Sequence, residues 1–457
     1  KEVVFAYVTF NNDRQKAEVT VVKQDKDTKK PLKGGIFALY AADDIANADG
    51  TVVVKKGTLI QKVTTGADGT AKFTADLPIG HSYSVKEDQA PAGYVRNTAD
   101  IYSFKFTYTN DKEAKVSFAH TFSNDRVTAK INLYKVDKET GKAVPQGDAV
   151  LNGAVYGLYA REDIGHPDGA TGVIYKAGEQ VASLTTDEKG QASVDSLYLG
   201  KYYVKEISAP DGFVTTEEIQ EFMFAYAGEE TAEVSYDFTF ENQPTTVELT
   251  KSDLTTGKEL PGAHLKVTDE KGNTVDEWTS TTEPHVIKEL VVGKKYTMTE
   301  TKPADGYVTA ESIAFTVENT AEIQKHEMQD DVTKVQISKT DITGEKEIPG
   351  AKLTILDKDD QVVESWTSAE EAHYIEKLPI GKYTLREEQA PKGFILTSDV
   401  TFEVKDTAEI QKVAMKDDTA KGKVILNKTD KTSGEPLKGV EFELRDSKGK
   451  VLETLKT

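Results

Sequence analysis

Short segments rich in Val, Ile, Thr, Tyr and Phe recur along the whole chain, with apolar and polar residues exchanging places at every second position. Val19 and Val21, Ile131 and Leu133, Val247 and Leu249, and Val335 and Ile337 each mark one face of such a segment. Turn pairs punctuate the segments, among them Asp68-Gly69, Lys189-Gly190, Lys271-Gly272 and Thr343-Gly344. A period of two puts alternate side chains on opposite faces of a strand, and no stretch carries the 3.6-residue period of a helix. Many short strands punctuated this way predict an all-β chain of sandwiches.

The strands also repeat as sets. An apolar-x-Lys-x-Asp column recurs at Lys23, Lys135, Lys251, Lys339 and Lys428. A second column runs from Tyr83 to Tyr94, Tyr202 to Phe213, Tyr296 to Tyr307 and Tyr383 to Phe394, and carries Glu87, Glu206, Glu300 and Glu387. A third closes each set at Asn12, Asn124, Asn242, Asp330 and Asp417. The order of the columns divides the chain into a terminal strand of a preceding, truncated repeat (1–13), two long repeats (14–125 and 126–243), two short repeats (244–331 and 332–418) and the start of a further truncated repeat (419–457). Both ends are expected to be cuts through a longer array. Only a few residues separate a closing column from the next Lys strand, too few for free tumbling, so the domains are expected to form an elongated, semi-rigid rod.

The extra length of the first two repeats follows Leu39-Tyr40-Ala41 and Leu158-Tyr159-Ala160 and is expected to be a loop or an added hairpin. Its acidic residues, Asp44, Asp49, Asp163 and Asp168, raise the question of calcium. Their spacing is not that of a calcium-binding loop, so they are read as turn residues, and no metal or cofactor is expected.

Strand phase singles out the three polar columns. Lys23 follows Val19 and Val21 on the apolar face, and Lys135, Lys251 and Lys339 do the same in their repeats. Glu87 follows Tyr83 and Val85; Glu206, Glu300 and Glu387 follow equivalent pairs. Asn124 follows Phe118 and Phe122, and Asn242 follows Phe238 and Phe240. In the third closing strand only Met328 and Asp330 keep the phase clearly; in the fourth Val413, Met415 and Asp417 do. A strand-end lysine ordinarily reaches back to water, and Asn or Asp at a strand end is ordinarily a turn residue. Three inward polar columns in four repeats do not fit that pattern, because an unpaired buried charge costs several kcal/mol. Two arrangements remain: a buried, hydrogen-bonded Lys–Glu–Asn/Asp cluster, or a covalent bond made from it.

These columns resemble the B-type repeats of the Cna collagen adhesin and the related SpaA-type pilin domains of Gram-positive surface proteins. The Tyr-x-Val/Leu-x-Glu-x-x-Ala-Pro-x-Gly-Tyr/Phe box carries the resemblance across four whole repeats, with Lys302-Pro303 replacing Ala-Pro in the third. It implies a transthyretin-like, inverse-immunoglobulin β-sandwich in which Lys joins Asn or Asp through an isopeptide bond assisted by Glu. The implied triads are Lys23–Glu87–Asn124, Lys135–Glu206–Asn242, Lys251–Glu300–Asp330 and Lys339–Glu387–Asp417, with Asn12 and Lys428 as crosslink partners in the truncated repeats. Burial would favour a neutral, nucleophilic amine and a neutral acid, and each bond would form once, as maturation and not as enzymatic turnover. The implied role is a stalk on the cell-wall-anchored, extracellular surface of a Gram-positive bacterium, with adjoining repeats of the same chain as partners and a host or matrix ligand held by a distal domain.

Composition narrows the alternatives. The 457 residues include no Cys, which removes disulfides, thiolate metal sites and cysteine nucleophiles. A net charge of −20 without a basic run argues against nucleic acid or an anionic membrane as partner. No apolar stretch is long enough to insert into a bilayer. The seven histidines form no repeated constellation that would serve a hydrolase. Two rivals to the stalk stay open: ligand binding by the repeats themselves through the inserted loops, and a sortase-assembled pilin shaft. Leu77-Pro-Ile-Gly80 and Leu378-Pro-Ile-Gly381 resemble the start of a sorting signal but lack its continuation, and are read as turns before the Glu strand.

Overall fold

The computed structural model describes residues 3–10, 13–144 and 149–457. Among these residues every named element is a β-strand. The alternation in the sequence becomes burial: along Lys16–Asp25, Val19, Val21, Lys23 and Asp25 are buried while the residues between them are half-exposed.

Each of the four repeats builds the same pair of sheets. In the first, a three-stranded sheet has Lys16–Asp25 at its centre, flanked by Thr70–Phe73 and Lys115–Asn124. A four-stranded sheet runs Leu59–Thr64, Ile36–Ala41, Ser82–Gln89, Ile101–Lys105. Phe37 and Val85 from one sheet and Val21 and Phe122 from the other meet in the core, with the Phe37 and Phe122 rings 4.7 Å apart. The second repeat repeats this packing with Tyr156 and Phe240 at 4.8 Å. Complete burial of each such side chain contributes roughly 1.5–3 kcal/mol.

The first and last strands of every repeat are parallel neighbours. Their register places Lys23 beside Phe122 and Asp25 beside Asn124, Lys135 beside Phe240, Lys251 beside Met328 and Lys339 beside Met415. The lysine and the closing Asn or Asp therefore lie on adjacent strands, two positions apart and on the same face. Facing them, the Glu strand pairs with the strand that begins at Ile36 in the first repeat, and Glu87 stands opposite Phe37. A turn glycine fixes where the lysine sits: the Lys23 N–H donates to the Gly69 carbonyl at 2.7 Å. Gly69 has a φ of +71°, and a Cβ there would fall 2.4 Å from the Lys23 carbonyl oxygen, so no other residue fits.

The extra segments of the long repeats are two-stranded hairpins, Ile45–Ala46 with Val52–Val54 and Ile164–Gly165 with Val173–Tyr175. Their acidic residues cap backbone: Asp44 accepts from Lys56 N, Asp49 from Thr51 N, Asp163 from Ala177 N and Asp168 from Ala170 N. Beyond residue 418 the named strands are Glu441–Arg445 and Val451–Lys456, which pair as a hairpin.

Candidate functional site

Lys23, Glu87 and Asn124 are 0%, 4% and 1% exposed, so the polar cluster lies inside the sandwich. The Lys23 amine donates to Asn124 Oδ1 and lies 2.9 Å from Glu87 Oε1. The Asn124 amide in turn donates to both Glu87 oxygens, at 2.9 and 3.0 Å. The acid thus touches both Lys23 and Asn124 at once. Desolvation lowers the Lys23 pKa, opposed by the nearby Glu87 carboxylate.

The third and fourth repeats place the same groups together with Asp in place of Asn. Lys251 pairs with Asp330 Oδ1 and lies 3.0 Å from Glu300 Oε1; Lys339 pairs with Asp417 Oδ1 and lies 2.8 Å from Glu387 Oε1. Burial is the main cause that raises the Asp330 and Asp417 carboxyls, with the neighbouring glutamate adding to it against the lysine charge. Asp330 Oδ2 and Asp417 Oδ2 have no hydrogen-bond partner among the described residues. A protonated aspartic acid relieves the repulsion between two adjacent carboxylates and is also the electrophilic form.

The second repeat differs. Lys135, Glu206 and Asn242 are all buried, and the Asn242 amide donates to Glu206 Oε2 at 2.6 Å and to the Val214 carbonyl at 2.7 Å. The Lys135 amine instead donates to its own neighbour, the Val136 carbonyl, at 2.9 Å, over the face of Phe213. Burial pushes this amine down to about 8. Of the two other candidate residues, Lys428 is exposed, with its carbonyl accepting from Leu437 N, and Asn12 lies outside the described residues.

In all four repeats the second oxygen of the glutamate is gripped by a backbone amide ten residues on: Asn97 N to Glu87 at 2.9 Å, Thr216 N to Glu206 at 2.7 Å, Ala310 N to Glu300 at 2.7 Å and Thr397 N to Glu387 at 2.8 Å. Such a bond orients the acid without neutralising it. Side-chain patterning could not have shown this, because the donor is backbone.

A second buried pair also escaped the sequence. Asp25 Oδ1 caps the turn after the Lys strand by accepting from Asp27 N and Thr28 N, while its Oδ2 accepts from the Tyr94 hydroxyl at 2.8 Å. Asp253 repeats this with Thr255 N, Thr256 N and the Tyr307 hydroxyl. The signal was present: the Asp ends the Lys-x-Asp column, and the final box residue is Tyr in these two repeats and Phe in the others.

Comparison with known proteins places this geometry in a family. The model of the SpaA prealbumin-like fold domain matches residues 17–121, 129–237, 245–332, 333–419 and 422–457. The collagen adhesin of Staphylococcus aureus is 25% identical over 417 residues, covering 83% of this chain and 31% of the adhesin. The chain thus spans about a third of that relative's length. Among solved structures, the Bacillus anthracis TIE protein aligns over 90% of this chain and 74% of its own, at 21% identity and a TM-score of 0.38. BcpA, the major pilin subunit of Bacillus cereus, aligns over 64% of this chain and 100% of its own, at 14% identity and a TM-score of 0.29. With five successive matches spanning nearly all of its length, the chain belongs to the SpaA family of prealbumin-like fold domains.

Proposed function

We propose that the chain is a stalk segment of a cell-wall-anchored, extracellular bacterial surface protein, and that each complete repeat closes itself with an intramolecular isopeptide bond. The repeats are taken as 14–125, 126–243, 244–331 and 332–418. The observation that carries the proposal is the contact of Lys23 with both Asn124 and Glu87 inside the first core, repeated with Asp in the third and fourth.

The chemistry is one condensation per repeat. The neutral amine attacks the side-chain carbonyl carbon and forms a tetrahedral intermediate, whose oxyanion collapses back to a carbonyl as the old C–N bond of Asn or C–O bond of Asp breaks. A C–N bond forms while the amine loses one proton to the glutamate. The glutamate returns a proton to the leaving group, so Asn releases ammonia and Asp releases water. In the first, third and fourth repeats the fold supplies the reacting groups already in contact, and the glutamate is regenerated. Carried through each triad, the bonds are Lys23–Asn124, Lys135–Asn242, Lys251–Asp330 and Lys339–Asp417.

Mechanical consequence follows from the parallel first and last strands. Tension along the chain enters a repeat at the start of one and leaves at the end of the other. A bond between Lys23 and Asn124, 101 residues apart, passes that tension across and leaves the intervening chain unloaded. By the loop-entropy estimate used for disulfides, such a closure also stabilises the repeat by roughly 4–5 kcal/mol. The similarity to a collagen adhesin and to pilins supports a surface role, with a ligand held by another part of the longer protein.

Intact mass tests the reading directly. The expected value lies below the sequence mass by two ammonia and two water molecules; a folded chain at full sequence mass would overturn it. A sortase-assembled shaft would instead show lysine linkages between chains. Against that alternative, the Leu-Pro-Ile-Gly segments serve as turns: the Tyr83 hydroxyl donates to the Pro78 carbonyl and Tyr383 to Pro379.

A further inference from the structure

In the first three repeats the assisting glutamate is held by a loop that the next repeat also touches. In the third repeat four consecutive residues are fixed by four different parts of the molecule. The Tyr307 hydroxyl donates to Asp253 at 2.6 Å, in its own repeat. Val308 N donates to the Asp331 carbonyl at 2.9 Å, in the linker. Thr309 N donates to Asp406 Oδ1 at 2.9 Å, in the fourth repeat. Ala310 N then donates to Glu300 Oε2 at 2.7 Å, in the core.

The same order holds upstream. In the second repeat Val214 N meets the Gln243 carbonyl, Thr215 N meets Asn319 Oδ1 at 3.0 Å and Thr216 N meets Glu206. In the first, Val95 N meets the Asp125 carbonyl, Arg96 N meets the Glu229 carbonyl at 2.9 Å and Asn97 N meets Glu87. Glu229, Asn319 and Asp406 occupy one structural position, the loop before the closing strand of the following repeat, although their residue types differ.

The fourth repeat supplies an internal contrast. Ile395 N meets the Asp418 carbonyl and Thr397 N meets Glu387, but Leu396 N has no acceptor among the described residues and Leu396 is 56% exposed. The grip on the glutamate therefore forms without a neighbour. What a neighbour adds is restraint on the peptide immediately before it. The amide that holds Glu300 belongs to the peptide joining Thr309 to Ala310, so its direction depends on the ψ of Thr309. Pinning Thr309 N from outside removes freedom that the loop would otherwise spend on orientations that release the acid.

We infer that each repeat acts as a positioning partner for the crosslinking of the repeat before it, with Asp406 serving the Lys251–Asp330 bond and Asn319 the Lys135–Asn242 bond. This rests on the isopeptide reading above. Asp406 and Asn319 touch no reacting atom; they act through the loop and the glutamate. Along the array, docking and crosslinking become linked steps, and a repeat without a docked successor crosslinks more slowly than the same repeat with one.

The test uses the full 457-residue chain, recovered unfolded in urea and diluted into buffer, with each linkage followed by quenched digestion and mass spectrometry. Asp406→Ala is expected to slow the Lys251–Asp330 linkage about fivefold, as the loss of one hydrogen bond to a charged acceptor implies. The Lys339–Asp417 linkage, in the repeat that bears the substitution, is expected at the wild-type rate and reports that this repeat still folds. Asp406→Asn is expected to restore the rate, since Asn319 makes the equivalent bond one repeat earlier. If wild type forms the Lys251–Asp330 linkage and Asp406→Ala forms it equally fast, or if Asp406→Asn is as slow as Asp406→Ala, the positioning role is wrong and the isopeptide reading stands. If wild type forms no linkage, both are wrong.

Discussion

Lys135 and Asn242 share one buried core, yet the lysine amine donates to the Val136 carbonyl at 2.9 Å while the asparagine amide is held by Glu206 and Val214. In the first repeat the matching groups, Lys23 and Asn124, are already in contact. Attack by Lys135 therefore requires its terminal torsions to turn first, giving up a hydrogen bond and the Phe213 face. The Lys135–Asn242 linkage is expected to form several-fold more slowly than Lys23–Asn124, one lost hydrogen bond being worth about 1 kcal/mol. Time-resolved digestion after refolding measures both in one sample. Equal rates would show that the turn costs nothing.

The same amine sets a pH dependence. Burial pushes Lys135 down to about 8, so below that pH the ammonium form dominates and the nucleophilic form grows with each unit. Its crosslinking rate is expected to rise about tenfold from pH 6 to 7, less from 7 to 8, and then to flatten. A rate that falls across this range would place the limiting proton on an acid instead.

Removal of the assisting acid separates folding from bonding. Glu87→Ala is expected to leave the first repeat folded, because the sheets and the Phe37–Phe122 contact do not depend on it, but to leave Lys23 and Asn124 unjoined. Intact mass should then show one ammonia fewer lost than in wild type, with the other three bonds formed. Thermal unfolding of that repeat should fall by about 4–5 kcal/mol from the open loop alone. A Glu87→Ala chain with full mass loss would remove Glu87 from the chemistry.

Most of the site was legible because strand phase is rigid. Once Val19 and Val21 point inward, Lys23 must follow, and the same count delivers Glu87 and Asn124 from their own strands. The parallel pairing of first and last strands then supplied what phase alone does not, the two-position offset between Lys and Asn. The rotamer of Lys135 was not legible, since phase fixes a face and leaves the terminal torsions free. Nor were the joints. Glu229, Asn319 and Asp406 share a position but not a residue type; two accept through a side-chain Oδ1 and Glu229 through its backbone carbonyl. In the third closing strand the phase was obscured because Gln324 and His326 take the inward positions that Tyr236 and Phe238 hold in the second repeat, and His326 stacks on Phe315 at 4.5 Å.

Tyr307 and Asp253 give a further measurable contact. Lys377 of the fourth repeat reaches back to Asp253 Oδ2 at 3.2 Å and donates to the Tyr307 hydroxyl at 2.6 Å. Tyr307→Phe removes the hydroxyl from both and leaves the ring. It is expected to lower the unfolding free energy of the third repeat by about 1 kcal/mol, with no change in the number of crosslinks by mass. The second repeat tolerates Phe213 at this position, so loss of folding in the variant would contradict the assignment.

The joint between the second and third repeats has the opposite charge logic. Glu289 occupies the place that Lys377 holds one repeat later: each follows a strand, has a positive φ, at 70° and 63°, and precedes a buried leucine. Glu289 is 6% exposed, and its Oε1 has no hydrogen-bond partner among the described residues. Burial is the largest cause raising its pKa, followed by the Asp137 charge and, more weakly, Glu139; the Ala149 amide and Lys288 oppose them. A raised carboxyl means that the folded chain holds the proton more tightly than the unfolded chain. Stability from this site is therefore fullest below the ordinary carboxylate value and declines as pH rises through and above it. Glu289→Gln keeps the shape and removes the charge. It is expected to raise the unfolding midpoint of these repeats at pH 7, by the equivalent of about 1 kcal/mol, and to leave it unchanged near pH 4. Calorimetry at the two pH values measures the difference. A destabilised variant at pH 7 would mean that the ionised carboxylate is a favourable contact at this joint, paired more strongly with Lys288 than it is repelled by Asp137.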